Sequence, residues 1–136
     1  MTQPISIDPA SNPLLSRDAH EDVPRFDQLA TEHVEPAVLA LVARLDEEMT
    51  ALERDVAPTW ESTIAALTGV TEPLYFAWGV VGHLTAVKNS PELRRAHEAV
   101  QKDVVRVLMR VSQSEPVYRA LKQLKDSAEW VELDPA

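Results

Sequence analysis

The chain has 136 residues, 22 of them acidic and 13 basic, for a net charge of −9. That length suits a single domain with an ordinary core, and the acidic balance disfavours nucleic-acid phosphates and anionic membrane surfaces as partners. Cysteine is absent, which excludes disulfides, thiolate catalysis and cysteine-bound zinc.

Pro4, Pro9, Pro13 and Pro24 interrupt residues 1–27, so this stretch is predicted to be an extended arm, with Leu14, Leu15 and Phe26 as its docking residues. It lacks the basic start and apolar run of a secretory signal, and a cytoplasmic protein is expected. Residues 28–136 are predicted to form one helical domain. Thr31 is expected to cap a lead-in turn, and Pro36 to lie near a helix start. From Glu35 to Val56 the residues Val38, Leu41, Val42, Leu45, Met49, Leu52 and Val56 recur at three- and four-residue steps. That is the apolar stripe of a long helix.

Pro58-Thr59 breaks this pattern. Thr59 is placed to cap a short helix through Trp60, Ile64 and Leu67, with Gly69 as its end. A further helix is expected from Glu72-Pro73 to about Lys88. Its apolar residues, from Leu74 and Tyr75 to Leu84 and Val87, cover most of its circumference, which predicts burial on several sides. Gly79 and Gly82 each cost up to about 1 kcal/mol against alanine in a helix, and close approach of a neighbouring helix would account for them. No apolar run is read as reaching the roughly 20 residues of a membrane span.

Asn89-Ser90-Pro91-Glu92 is a stop-and-restart signal. Asparagine tolerates the left-handed conformation at a helix end, serine caps the next helix, proline fits its first position, and glutamate suits its positive end. The new helix runs to about Ser112, with Leu93, Ala96, Val100, Val104, Val107, Leu108 and Val111 on one face. Ser114 is expected to cap a last helix with Pro116 in its first turn, followed by a short acidic tail, SAEWVELDPA. The short connections predict antiparallel neighbours. The fold class is all-α, an antiparallel helical bundle or stacked helical hairpins of four to six helices with an extended N-terminal arm.

Candidate chemistry is sparse. A zincin needs His-Glu-x-x-His on one helix. His20-Glu21 is followed by Pro24 at the second histidine position, and His97-Glu98 by Gln101. His83 and His97 stay open as a pair that could meet across the turn with a carboxylate, although His33 and these two are more often structural or solvated. Asp46-Glu47-Glu48, Glu53, Asp55, Glu129, Glu132 and Asp134 fall on polar helix faces and in the tail. Lys88, Arg94 and Arg95 form a small basic cluster, best read as helix-end electrostatics and intrahelical pairs. Trp60, Tyr75, Phe76 and Trp78 could line a peptide groove, but core packing is the commoner use. No Gly-x-Ser-x-Gly elbow or glycine-rich phosphate loop occurs. No catalytic, cofactor-binding or metal-binding residue is assigned.

Gly82–Glu98, read as GHLTAVKNSPELRRAHE, resembles a segment in the N-terminal domain of the oligopeptidase A group. That group belongs to the thimet oligopeptidase and dipeptidyl carboxypeptidase family of zinc metallopeptidases. Asn12-Pro13-Leu14-Leu15, the run from Thr31 to Val38, and Thr59-Trp60-Glu61 resemble further family segments in the same order, while Ser16 to Glu21 departs from the pattern. The resemblance implies a helical wall of a deep channel that admits short peptides. It also implies that zinc, its ligands and the catalytic glutamate belong to a later region, since no position here matches them. Asp134-Pro135 reads as the start of another helix, so a truncated or split chain is expected, inactive alone and without a cofactor of its own. Its expected partners are a separate catalytic peptidase chain, short peptides or a second copy, with no nucleic acid and no membrane. A stand-alone interaction module and a gene relic are the alternatives.

Overall fold

The computed structural model describes residues 11–15 and 23–133, and every regular element among them is helical. The readings placed on Pro4, Pro9, the Ser16–Glu21 stretch with His20, and Asp134-Pro135 lie outside the described residues.

Asn12 is buried, and its side chain organises the turn around it. Its Oδ1 accepts from the Leu14 amide and its Nδ2 donates to the His33 carbonyl, both at 3.0 Å. Leu14 is thereby held in the core, with Leu15 packed against it. A single 3-10 turn, Thr31–His33, leads into α1, Val34–Asp55. Thr31 is not the cap. The cap position is Ala30, whose amide donates to His33 Nδ1 at 3.0 Å. Alanine offers no side-chain acceptor for the amides of the turn, and the imidazole three residues on accepts from the cap residue's own N–H, the reciprocal half of a capping box. Pro36 lies in the first turn of α1, where no intrahelical acceptor waits for its missing N–H.

The stripe on α1 is buried through Val34, Ala37, Val38, Leu41, Val42, Leu45 and Met49. Past Pro58, Thr59 does act as a cap, its Oγ1 accepting from the Ser62 amide at 3.1 Å. One helix follows where two were expected. A π-helical turn, Glu61–Ala65, continues directly into α2, Ala66–Lys88. Gly69 does not end it and Pro73 lies inside it. A mid-helix proline crowds the carbonyl four residues back, which here is that of Gly69, and glycine leaves that turn free to adjust. The two residues read as punctuation thus fall within one uninterrupted helix. Thr63 and Thr71 are buried there without penalty, because their hydroxyls donate to the Thr59 and Leu67 carbonyls at 2.6 and 2.8 Å.

Asn89 ends α2 in the left-handed conformation, at φ 44° and ψ 40°. Ser90 Oγ then accepts from the Leu93 amide at 3.1 Å, opening α3, Pro91–Ser112. Ser114 precedes α4, Glu115–Lys125, but its hydroxyl makes no cap bond and is buried without a partner. The expectation of a serine cap fails here because the Oγ is turned inward. A further helix, α5, Ala128–Glu132, occupies what was read as a tail, capped by Ser127. Glu129 Oε1 accepts from the Trp60 amide at 3.0 Å and so ties α5 to the start of the second helical region.

Helix α1 is central: α2 and α3 both pack mainly along it and touch each other less. The side chains of the three meet in one continuous core that also takes in Val117 of α4. Outside that core, α3 is clasped to α1 by Arg110. Its guanidinium donates to the Asp46 carbonyl at 2.7 Å, Asp46 Oδ1 at 2.9 Å, Thr50 Oγ1 at 2.9 Å and Glu53 Oε2 at 3.3 Å. Arg106 adds a bond to Asp46 Oδ2 at 2.8 Å.

Candidate functional site

The residues with potential chemistry are dispersed. His33 is spent on the lead-in turn. His83 lies against Phe26, with ring centroids 5.5 Å apart and planes tilted by 56°. His97 stacks on Trp78, with centroids 4.4 Å apart and planes 18° from parallel. The histidine pair flanking the turn is therefore engaged with two different aromatic rings. Among the described residues no group of three or more histidine, aspartate or glutamate side chains could hold a metal ion.

Four of the carboxylates singled out above are in ion pairs with arginine. Asp46 and Glu53 meet the α3 arginines, Glu48 pairs with Arg44 at 2.7 Å, and Asp55 with Arg54 at 3.0 Å. The Arg106 hydrogen bond, aided by Arg110, holds the Asp46 carboxyl below the ordinary aspartate range, against a smaller opposing effect of burial. That carboxylate is a structural anion rather than a poised base. In the basic cluster, Arg95 reaches Glu92 at 3.8 Å and the Pro91 carbonyl at 3.3 Å, which is the intrahelical and helix-end role. Lys88 and Arg94 stay exposed on either side of the Asn89 corner.

The aromatics divide. Phe76 and Trp78 are half-buried against the core, while Trp60 and Tyr75 are exposed. They belong neither to a shared core nor to a cage. The ring contacts of Phe26 and His97 were invisible in the sequence, since nothing in helical periodicity pairs residues from different elements. Two shallow surface grooves are also present among the described residues. One runs along α3 past Val105 and Met109 to Pro116, the other lies between Pro36, Leu39 and Ala96. Neither joins a nucleophile to a base.

What the structure does present, among the described residues, is a long helix face with no element packed on it. The buried side of α2 carries Thr71, Leu74, Ala77, Val80, Val81 and Leu84. Its other side leaves Tyr75 55% exposed. Burial on several sides is thus overturned, because α1 and α3 reach only one flank of this helix. So is close helix approach at Gly79 and Gly82: a Cβ added at either meets nothing within 4 Å among the described residues. The reading of apolar runs also needs correction. Once Gly69 and Pro73 no longer divide it, Glu61–Lys88 is long and apolar enough, by length and composition alone, to cross a membrane. The core helix of a water-soluble fold passes the same test, and Glu72 is its only charge between the two ends.

Comparison with known proteins gives these observations a context. The sequence model of the family "Neurolysin/Thimet oligopeptidase, N-terminal domain" matches residues 38–136. The chain is 40% identical over 127 residues to the organellar oligopeptidase A, chloroplastic/mitochondrial, of Arabidopsis thaliana, covering 93% of this chain and 16% of that protein. It is 39% identical to the probable cytosolic oligopeptidase A of the same plant and 34% identical to oligopeptidase A of Escherichia coli (strain K12). Each of those matches covers 93% of this chain and 18% of the relative. The chain thus spans less than a fifth of the length of the curated relatives it matches.

Proposed function

This chain belongs to the neurolysin/thimet oligopeptidase family, as the N-terminal domain of an oligopeptidase A-like peptidase, and from that premise we propose that it forms part of the wall of a peptide-admitting channel. In this reading residues 28–136 are the helical domain and residues 1–27 its arm, and the protein is cytoplasmic. The observation that carries it is the family match over residues 38–136, which names the N-terminal domain. The family's zinc does not fit these residues: His33, His83 and His97 each have another engagement, and none converges with carboxylates. The chain's contribution is therefore shape. It offers a rigid three-helix platform, pinned by the Arg110 clasp, against which other elements and a peptide can be positioned.

The purified 136-residue chain is expected to leave a quenched fluorogenic peptide intact, with or without added zinc. Zinc-dependent turnover that survives repurification would overturn this. A second reading, a stand-alone interaction module, draws on the uncovered face of α2. Its partners would be short peptides, a separate catalytic chain or a second copy. A peptidase chain co-purifying with the protein would favour it.

A further inference from the structure

All three glycines of the chain, Gly69, Gly79 and Gly82, lie in α2. None has a positive φ, and a Cβ added to any of them meets nothing within 4 Å among the described residues. They serve neither a turn nor a close approach within this fold. Glycine is among the poorest residues for a helix interior, so three in one helix call for another explanation. Gly69 has one in Pro73; Gly79 and Gly82 do not.

The exposed residues Thr68, Glu72, Tyr75, Gly79, Gly82 and Ala86 follow one another at steps of four, three, four, three and four. That is a 3.5-residue repeat, which keeps one strip of a helix turned toward a single neighbouring helix. Glu72 and Tyr75 stand as larger side chains in its first half. Beyond them, Gly79, Gly82 and Ala86 form a notch that allows an incoming backbone to approach closely.

We propose that this strip of α2 is the docking face for a helix from the remainder of an oligopeptidase A-like peptidase. The inference rests on the family reading above. The chain matches only 16–18% of its relatives' length, so the greater part of such a protein lies outside this domain and must pack somewhere on it.

The test replaces the matching segment of the probable cytosolic oligopeptidase A of Arabidopsis with this chain. The resulting chimera is expected to cleave a quenched fluorogenic peptide. Gly79→Leu with Gly82→Leu is expected to lower that activity by about a hundredfold, the order expected when a supporting element is displaced. The same pair leaves the isolated 136-residue chain folded, with an equal or higher Tm. A doubly substituted chimera with full activity and an unchanged Tm overturns the docking face and leaves the family reading intact. A wild-type chimera that does not fold or cleave overturns the channel-wall reading, and the docking face with it. A lowered Tm of the substituted isolated chain means that this chain covers its own strip. Substitutions that abolish a dimer in gel filtration, or binding to phosphatidylcholine vesicles, assign the strip to a second copy or a bilayer. Each of these three outcomes also overturns the proposal.

Discussion

Replacing Gly79 and Gly82 by alanine should make the isolated chain more stable. Both residues lie well inside α2, both have negative φ, and an added Cβ has open space around it among the described residues. No steric term opposes the change. What remains is helix propensity, about 0.8–1 kcal/mol per position. Part of it comes from the lower conformational entropy of the unfolded chain. The two sites share no neighbouring side chain, so the gains should add to about 2 kcal/mol. With an unfolding entropy of about 2.1 cal/mol/K per residue, a chain of this length should gain about 6–7 °C in Tm. Thermal unfolding followed by circular dichroism at 222 nm, with a urea titration to check that m is unchanged, measures the effect. An unchanged or lower Tm for the double variant would show that something already occupies the face, and the open-strip argument would fail.

Three further outcomes follow from the helix contacts. Arg110→Met removes four hydrogen bonds between α3 and α1 at partly exposed positions; discounted for solvent, these should cost about 2 kcal/mol in urea unfolding. Ser90→Ala removes a working cap and should cost about 1 kcal/mol, whereas Ser114→Ala should be neutral or stabilising, because its Oγ is buried without a partner. An equal loss at both serines would contradict the structure. Asp46→Asn should destabilise at neutral pH and converge on the wild type in acid. The folded-state pKa of Asp46 is depressed, so its contribution is present above the unfolded value of about 3.9 and is lost as pH falls through the folded one. Unfolding curves at pH 7 and below pH 3 test this, and a gap that persists undiminished in acid would refute it.

Legibility in the sequence followed the range of the interaction that decides each feature. The Asn89-Ser90-Pro91 corner was readable because its determinants are local: one left-handed residue, one hydroxyl three residues from the amide it accepts, and one proline at a first helical position. The stripes of α1 and α3 were readable because burial there follows a single period. Ser114 has the same residue type and position as Ser90, yet its Oγ is buried and makes no cap bond. Thr31 lost the capping role to Ala30 and His33, as the turn begins one residue earlier. Short α5 was hidden because five residues carry too little periodicity to read. For the candidate site, the spacing around His97-Glu98 lacks the second histidine of a zincin motif. The partners of His83 and His97 required tertiary contacts.

Helix α2 is the instructive failure, because its sequence obeys two different surroundings. Gly69 and Pro73 argue for a break only if local propensity decides; with one flank packed on α1 through Leu74, Ala77, Val81 and Leu84, burial outweighs a few kcal/mol of poor helix-forming residues. The same apolar composition then predicts burial all round, which this fold provides on one flank only. A helix composed for an interior but covered on one side is what a domain shows when its sequence also answers to a neighbour beyond it. If so, mutational tolerance on α2 should split by context. Substitutions at Gly79 and Gly82 should be harmless or stabilising in the isolated chain and damaging in the chimera. Leu74→Ala and Leu84→Ala, which open cavities beside α1, should cost about 2–5 kcal/mol in both. Equal behaviour of the two sets in both settings would mean that α2 answers to this domain alone.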